Sequence, residues 1–313
     1  MEAAVPTTTP NEAAAGSPAT GPPSGGYDER TPRLLPLAAL LGEVEAFAQA
    51  VHDARITGIA RGPVTGLRRL DDALGGVLQP GLHILHGSPG AGKTAFALQA
   101  AATCGFPALY VTAEMRPLEL LLRLTARATG TYLGRLKSGE LAPADTVAKA
   151  REAVALSPRF ALADATDAFA APDWLKEAAT AVRGRERHLL LVVDSVHSWS
   201  EAAGADLTEY DRLNAAIAAL RTLAGQLGCP VLAVAERNRA SMAAGGMNAS
   251  AGSRKFEYTG ESVLDLSAEK ETPPSAGGET SVVLHVAKNR NGAAGMRLRL
   301  VFHGALQRFA EAA

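Results

Sequence analysis

The stretch Gly87-Ser88-Pro89-Gly90-Ala91-Gly92-Lys93-Thr94 constrains this chain more than any other. It fits the pattern G-x-x-x-x-G-K-[ST] at every fixed position. The apolar run Leu82-His83-Ile84-Leu85-His86 precedes it, and Ala95-Phe96-Ala97-Leu98-Gln99-Ala100-Ala101-Ala102 follows. Strand, glycine loop and helix therefore come in the order that phosphate binding needs. The glycines let the loop curl so that successive N–H groups point inward at phosphate oxygens. The helix that begins near Gly92 adds its positive N-terminal end. Lys93 is placed to reach the β- and γ-phosphates, and the Thr94 hydroxyl to hold Mg²⁺. A glycine-rich turn before a helix can also be plain punctuation. The Lys-Thr pair and the preceding strand favour a nucleotide site, with ATP and Mg²⁺ as the expected ligands.

The surrounding chain alternates strand and helix patterns. Apolar runs at Ala108–Thr112, Arg159–Ala163, His188–Asp194 and Cys229–Ala235 are separated by helical stretches near Pro117–Thr129, Ala144–Leu156, Pro172–Val182 and Thr208–Leu227. Near-continuous apolar strands such as Leu189-Leu190-Leu191-Val192-Val193 are what a parallel sheet buried on both faces requires. Further strand-like runs at Ser262–Leu266, Ser281–Ala287 and Met296–Phe302 end in a hairpin carrying Lys288-Asn289-Arg290-Asn291-Gly292. The expected fold is one α/β domain around a mostly parallel central sheet flanked by helices, with a C-terminal β-hairpin. There is no internal repeat.

Two acids close strands near the loop. Asp194, about 100 residues downstream, is the natural partner of Thr94 for Mg²⁺. An acid ending a strand can also be a cap or turn, and the phosphate loop favours the metal role. Glu114 follows the second strand at the carboxyl edge, where ligands of such sheets bind, and is placed to polarise an attacking water. Its alternative is a solvated loop carboxylate. Glu236 ends the fifth strand, where a polar side chain can sense the γ-phosphate, or simply form a surface turn.

With 313 residues and 47% hydrophobic content, the chain can bury one large core. Its formal net charge of −1 gives no global basic signature for nucleic acid. Any such contact has to come from local loops or from a ring of subunits: Arg237, Arg239, Arg254 and Lys255 flank a small-residue loop suited to the backbone of single-stranded DNA, or are merely solvated. Cys104 and Cys229 read as small buried residues of a reducing compartment. No apolar run reaches 18 residues and no secretion signal is recognisable, so neither membrane nor export is expected, and a cytoplasmic location is. Residues 1–31, rich in Ala, Pro, Thr, Gly and Ser, read as a disordered tail. Residues 32–64 read as a helix and connector, and 65–310 as the ATPase domain. The helix carries Leu34, Leu37, Leu40, Leu41, Val44, Phe47, Ala48 and Val51 at intervals of three and four; this stripe packs on its own domain or on a neighbouring subunit.

Together these pieces resemble the C-terminal motor domain of the DnaB family of replicative hexameric helicases, a RecA-like P-loop NTPase fold. The resemblance spans about residues 65–309 and rests on TGLRRLDDALGG, the phosphate loop continuing as KTAFALQAA, YVTAEM, LLLVVDS, NRA, AKNRNGAAG and Arg308-Phe309. It implies that Glu114 is the catalytic glutamate and that Lys288 and Arg290 are the piston and finger acting on a neighbour's nucleotide. It further implies a homohexamer moving on single-stranded DNA, with the helix before the domain stapling one subunit to the next. Three features depart from the family. No N-terminal collar, the module that engages primase, precedes the helix in this sequence; Glu236 stands where a Gln is usual; and Asp194-Ser195-Val196-His197 replaces Asp-Tyr-Leu-Gln. The competing resemblance is to RecA-, RadA- or KaiC-like accessory ATPases that bind DNA or protein without processive unwinding. A nucleotide-gated assembly module with little turnover is the reading outside enzymes. The sequence does not identify a loader or primase partner.

Overall fold

The computed structural model describes residues 34–202, 207–236, 259–269 and 278–312. The chain divides into a unit ending at Gln49 and a larger unit from Ala50 onward. A 3-10 turn at Leu37–Leu40 runs into helix α1 (Leu41–Thr57), whose first nine residues fall in the first unit, and Leu34, Leu37, Leu41, Val44 and Phe47 are all solvent-exposed.

The larger unit contains α2 (Arg68–Ala73), β1 (Gly81–Gly87), α3 (Lys93–Thr103), β2 (Ala108–Thr112), α4 (Pro117–Thr129), α5 (Leu133–Lys137), α6 (Pro143–Leu156) and β3 (Phe160–Asp164). It continues with α7 (Pro172–Arg183), β4 (Leu190–Asp194), α8 (Val196–Glu201), α9 (Glu209–Leu227), β5 (Pro230–Glu236), β6 (Ser262–Ala268), β7 (Glu279–Asn289), β8 (Arg297–His303) and β9 (Arg308–Glu311). The strands form one nine-stranded sheet in the order β3-β2-β4-β5-β1-β6-β7-β8-β9. Pairing is parallel from β3 through β6 and antiparallel from β6 through β9. This is the expected α/β architecture with its hairpin, extended by β9, a strand the sequence pattern does not announce.

Strand alternation explains the apolar runs. Leu85, Tyr110, Val192, Leu232 and Val234 pack with Phe96, Leu98, Leu120 and Leu124 of α3 and α4 on one face. Ile84, Leu109, Val111, Leu191, Val193 and Ala233 pack with Leu175 of α7, Trp199 of α8 and Ile217 and Leu220 of α9 on the other. Helix limits follow local chemistry. Pro117 opens α4, and Gly130, at φ +64°, closes it. The Thr208 hydroxyl accepts the Asp211 N–H at 3.1 Å and caps α9, which Gly228 ends.

Asp71 of α2 fixes the loop leading to β1. Its carboxylate accepts the Thr65 N–H (2.7 Å), the Thr65 hydroxyl (2.8 Å) and the Gly66 N–H (3.2 Å). Burial outweighs these bonds and raises its pKa from 3.8 to about 6. The native state therefore holds a proton here that the unfolded chain has already lost. The stability due to this group is full at low pH and falls as pH rises from about 4 to about 6, on the order of 2 kcal/mol. Urea unfolding across that interval is expected to show this slope in the wild type and lose it in Asp71→Asn; an unchanged slope would assign it elsewhere.

Candidate nucleotide site

The site lies at the carboxyl edge of the parallel strands. β1 ends at Gly87, the loop Ser88–Gly92 turns, and α3 starts at Lys93. Two glycines are needed for different reasons. A Cβ on Gly87 would lie 2.6 Å from the Leu266 carbonyl oxygen of the adjoining β6. Gly92 has φ +91°, and a Cβ there would meet Phe309 at 2.8 Å and Phe302 at 3.2 Å. Lys93 Nζ donates to the carbonyls of Gly87 (3.0 Å) and Ser88 (3.3 Å), so the ammonium is folded back over the loop with Pro89, Gly90 and Ala91 completing the turn.

Register places the acids. Thr112 of β2 pairs with Asp194 of β4, and Gly87 of β1 pairs with Glu236 of β5. Asp194 is 4% exposed; Tyr110, wholly buried, donates its hydroxyl to Asp194 Oδ2 at 2.6 Å, and Thr94 also hydrogen-bonds this carboxylate. Burial raises the pKa of Asp194 against the opposing pull of Tyr110, Thr94, Lys93 and Arg123. A hydroxyl and a carboxylate already in contact are hard oxygen donors. They fit a Mg²⁺ ion that takes one or two protein oxygens and fills its remaining positions with phosphate and water. Glu114, two residues beyond β2, has its pKa raised by burial, then by the charges of Asp194 and Glu236, while Lys93 lowers it. An ionised carboxylate raised in this way is a stronger base.

Residues missed in the sequence complete this corner. Tyr110 shares the α3 face with Asp194 by strand parity, a signal the sequence contains but that reads first as core. His197, in the first turn of α8, accepts the Glu236 N–H at Nδ1 (3.3 Å), so its neutral form carries the proton on Nε2. Burial lowers its pKa, against the raising effect of Glu236. Arg123 of α4 is near enough to Tyr110 and Asp194 to act on both electrostatically.

Lys288 and Arg290 are not part of this cluster. Lys288 pairs with Val263 near the start of β6, and Arg290 lies one residue past β7, so strand alternation does not set its direction. Its N–H donates to the Glu261 carbonyl at 2.9 Å, and its guanidinium bonds the Glu261 carboxylate at 3.2 Å. That is the opposite edge of the sheet from Gly87, about 20 Å away along β1 at the rise of a strand. Arg237, Arg239, Arg254 and Lys255 lie outside the described residues. Among those described, no cluster of three or more His, Cys, Asp or Glu side chains suits a metal, and no helix is long and apolar enough to cross a membrane.

A phosphate loop after β1, a buried acid at the end of β4 two strands away and this sheet order define a RecA-like P-loop NTPase. The family described as "DnaB-like helicase C terminal domain" matches residues 62–311, and the chain belongs to it. A solved DnaB-like replicative helicase, described with its interactions with primase, is 17% identical with a TM-score of 0.70, over 86% of this chain and 66% of that one. The chain thus spans just under two thirds of that helicase. A solved ATPase domain is 16% identical with a TM-score of 0.73, over 88% of this chain and 99% of that one. A KaiC-like protein from Pyrococcus horikoshii OT3 is 18% identical with a TM-score of 0.55, over 82% and 100%.

Burial disfavours the charged form of the Asp194 carboxylate and raises its pKa. Asp194→Asn removes that cost and keeps an oxygen to accept from Tyr110. Thermal unfolding is expected to show a higher midpoint for the ligand-free variant than for the wild type at pH 7, and no further rise with Mg²⁺–ATP, which is expected to stabilise the wild type. A variant melting below the wild type would contradict the assignment.

Proposed function

We propose that this chain is the ATP-driven motor of a DnaB-type helicase or translocase, hydrolysing ATP between subunits of a homohexameric ring on single-stranded DNA. The observation that carries the proposal is the separation of functional groups. Lys93, Thr94, Asp194, Glu114 and Glu236 converge at one edge of the sheet, while Arg290 sits at the other. A chain that holds its arginine away from its own phosphate loop is suited to present it to another copy. In this reading the loop Gly87–Thr94 cradles the phosphates, Thr94 and Asp194 hold Mg²⁺, and Glu114 takes the proton of the attacking water. Lys288 and Arg290 of the neighbouring subunit neutralise charge on the transferred phosphoryl group. Bound Mg²⁺ supplies further neutralisation of that charge.

The exposed stripe Leu37, Leu41, Val44 and Phe47 supports α1 as the linker that docks on the next subunit. DNA contact by Arg237, Arg239, Arg254 and Lys255 completes the proposal, in a cytoplasmic protein. One observation favours a second reading, an accessory ATPase with slow turnover. Glu236 adds negative charge beside Glu114, where the γ-phosphate would come. The same charge makes the neighbour's cations more important if turnover is fast.

ATPase turnover is expected to rise with single-stranded DNA, to vanish in Lys93→Ala, and to fall about 10³-fold or more in Arg290→Ala. Mixing the two variants is expected to restore turnover, because a Lys93→Ala subunit still donates Arg290 to an Arg290→Ala neighbour. Silence in mixtures that demonstrably exchange subunits would remove the intersubunit site. A strictly monomeric mass in the presence of a non-hydrolysable ATP analogue would remove the ring.

A further inference from the structure

Glu261 is fixed from three sides at the edge of the sheet that carries Arg290. Its N–H donates to the Leu82 carbonyl of β1 at 2.6 Å, and its own carbonyl accepts the Arg290 N–H at 2.9 Å. Its side-chain stem crosses bare backbone: a Cβ on Gly81, where φ is +135°, would come within 2.4 Å of Glu261 Cγ. From that anchored stem, Oε1 accepts from Arg290 Nη1 at 3.2 Å. The Glu261 side chain is 26% exposed and that of Arg290 47%. The charge of Glu261 also acts on Lys288 from the same corner. The main chain and the side chain of one residue thus tie the turn after β7 to the start of β1, the strand whose other end is Gly87.

We propose that Glu261 is the positioning residue for Arg290, fixing where the guanidinium is carried so that a neighbouring subunit's nucleotide meets a pre-set cation. The proposal rests on the reading of Arg290 as a residue acting in trans. An arginine that had to find its place from solvent at each turnover would surrender much of its value, since a displacement of about 1 Å at a reacting group can cost about 10²-fold in rate. An ion pair this exposed contributes little to folding, so losing it is expected to leave the chain folded and to show in catalysis instead.

The test is steady-state ATPase on the assembled protein with single-stranded DNA, in wild type, Glu261→Ala, Arg290→Ala and the double variant, with assembly checked by mass. Glu261→Ala is expected to lower kcat by about 10- to 100-fold with KM for ATP nearly unchanged. The double variant is expected to be no slower than Arg290→Ala alone, because Glu261 acts only through Arg290. Glu261→Gln keeps an acceptor without the charge and is expected to fall between. Wild-type kcat in Glu261→Ala beside a slow Arg290→Ala would overturn the positioning role alone, as would losses that multiply in the double variant. Wild-type kcat in Arg290→Ala would instead overturn the trans-acting arginine.

Discussion

The placement of β1 between two parallel neighbours governs everything functional in this molecule. It hydrogen-bonds to β5 on one side and to β6 on the other, so neither edge is open and its register is set twice. At its carboxyl end that register puts Gly87 level with Glu236 and so close to the Leu266 carbonyl that no side chain fits. At its amino end, Gly81 leaves room for the stem of Glu261 and, through it, for the turn that carries Arg290. A slip of one residue would move His83 and Leu85 to the opposite face and misplace both ends at once. The phosphate loop and the distant arginine are therefore two ends of one rigid element.

Much of this was legible before the structure, for identifiable reasons. Strands buried on both faces announce themselves as apolar runs, and α4 and α9 carry their own stops in Pro117, Gly130, Thr208 and Gly228. The helices α2, α5 and α8 have five or six residues each, too short to nucleate alone, so tertiary packing decides them and periodicity cannot. Strand β9 was visible only as the pair Arg308-Phe309. Its four residues pair with β8, and Gln99 of α3 bonds both the Phe309 N–H (2.9 Å) and its carbonyl (3.1 Å), a contact 210 residues apart in sequence.

The site was legible in its strand ends and hidden in its supports. Lys93, Thr94, Asp194, Glu114 and Glu236 follow from motif and strand polarity, because a parallel sheet brings the carboxyl ends of its strands to one edge. Tyr110 and His197 are a different kind of residue, defined by what they touch. A tyrosine within Leu109-Tyr110-Val111 reads as core until the register shows it two residues before the level of Asp194 and on the same face. Glu261 is likewise defined by what it touches, since its bond to Arg290 joins residues 29 positions apart at the ends of two different strands.

The electrostatics of the cluster argue for help from outside the chain. Asp194, Glu114 and Glu236 face a space served by Lys93 and, more remotely, by Arg123. Their mutual effect is already unfavourable, since Asp194 and Glu236 both push the pKa of Glu114 up. A triphosphate brings several more negative charges into the same volume, and in a partly buried site each uncompensated pair is far more costly than in water. Mg²⁺ offsets part of that excess. Among the described residues, Lys288 and Arg290 lie at the other end of the strands, where Glu261 engages Arg290 and acts on Lys288, so neither of these two lowers it from within. In the proposed ring, a cation presented by a second copy would be attracted to this site most strongly when a nucleotide is present. Glu236, an acid where the family usually carries an amide, adds to this local excess of negative charge, and in the proposed ring it would make one subunit's site depend more on the next.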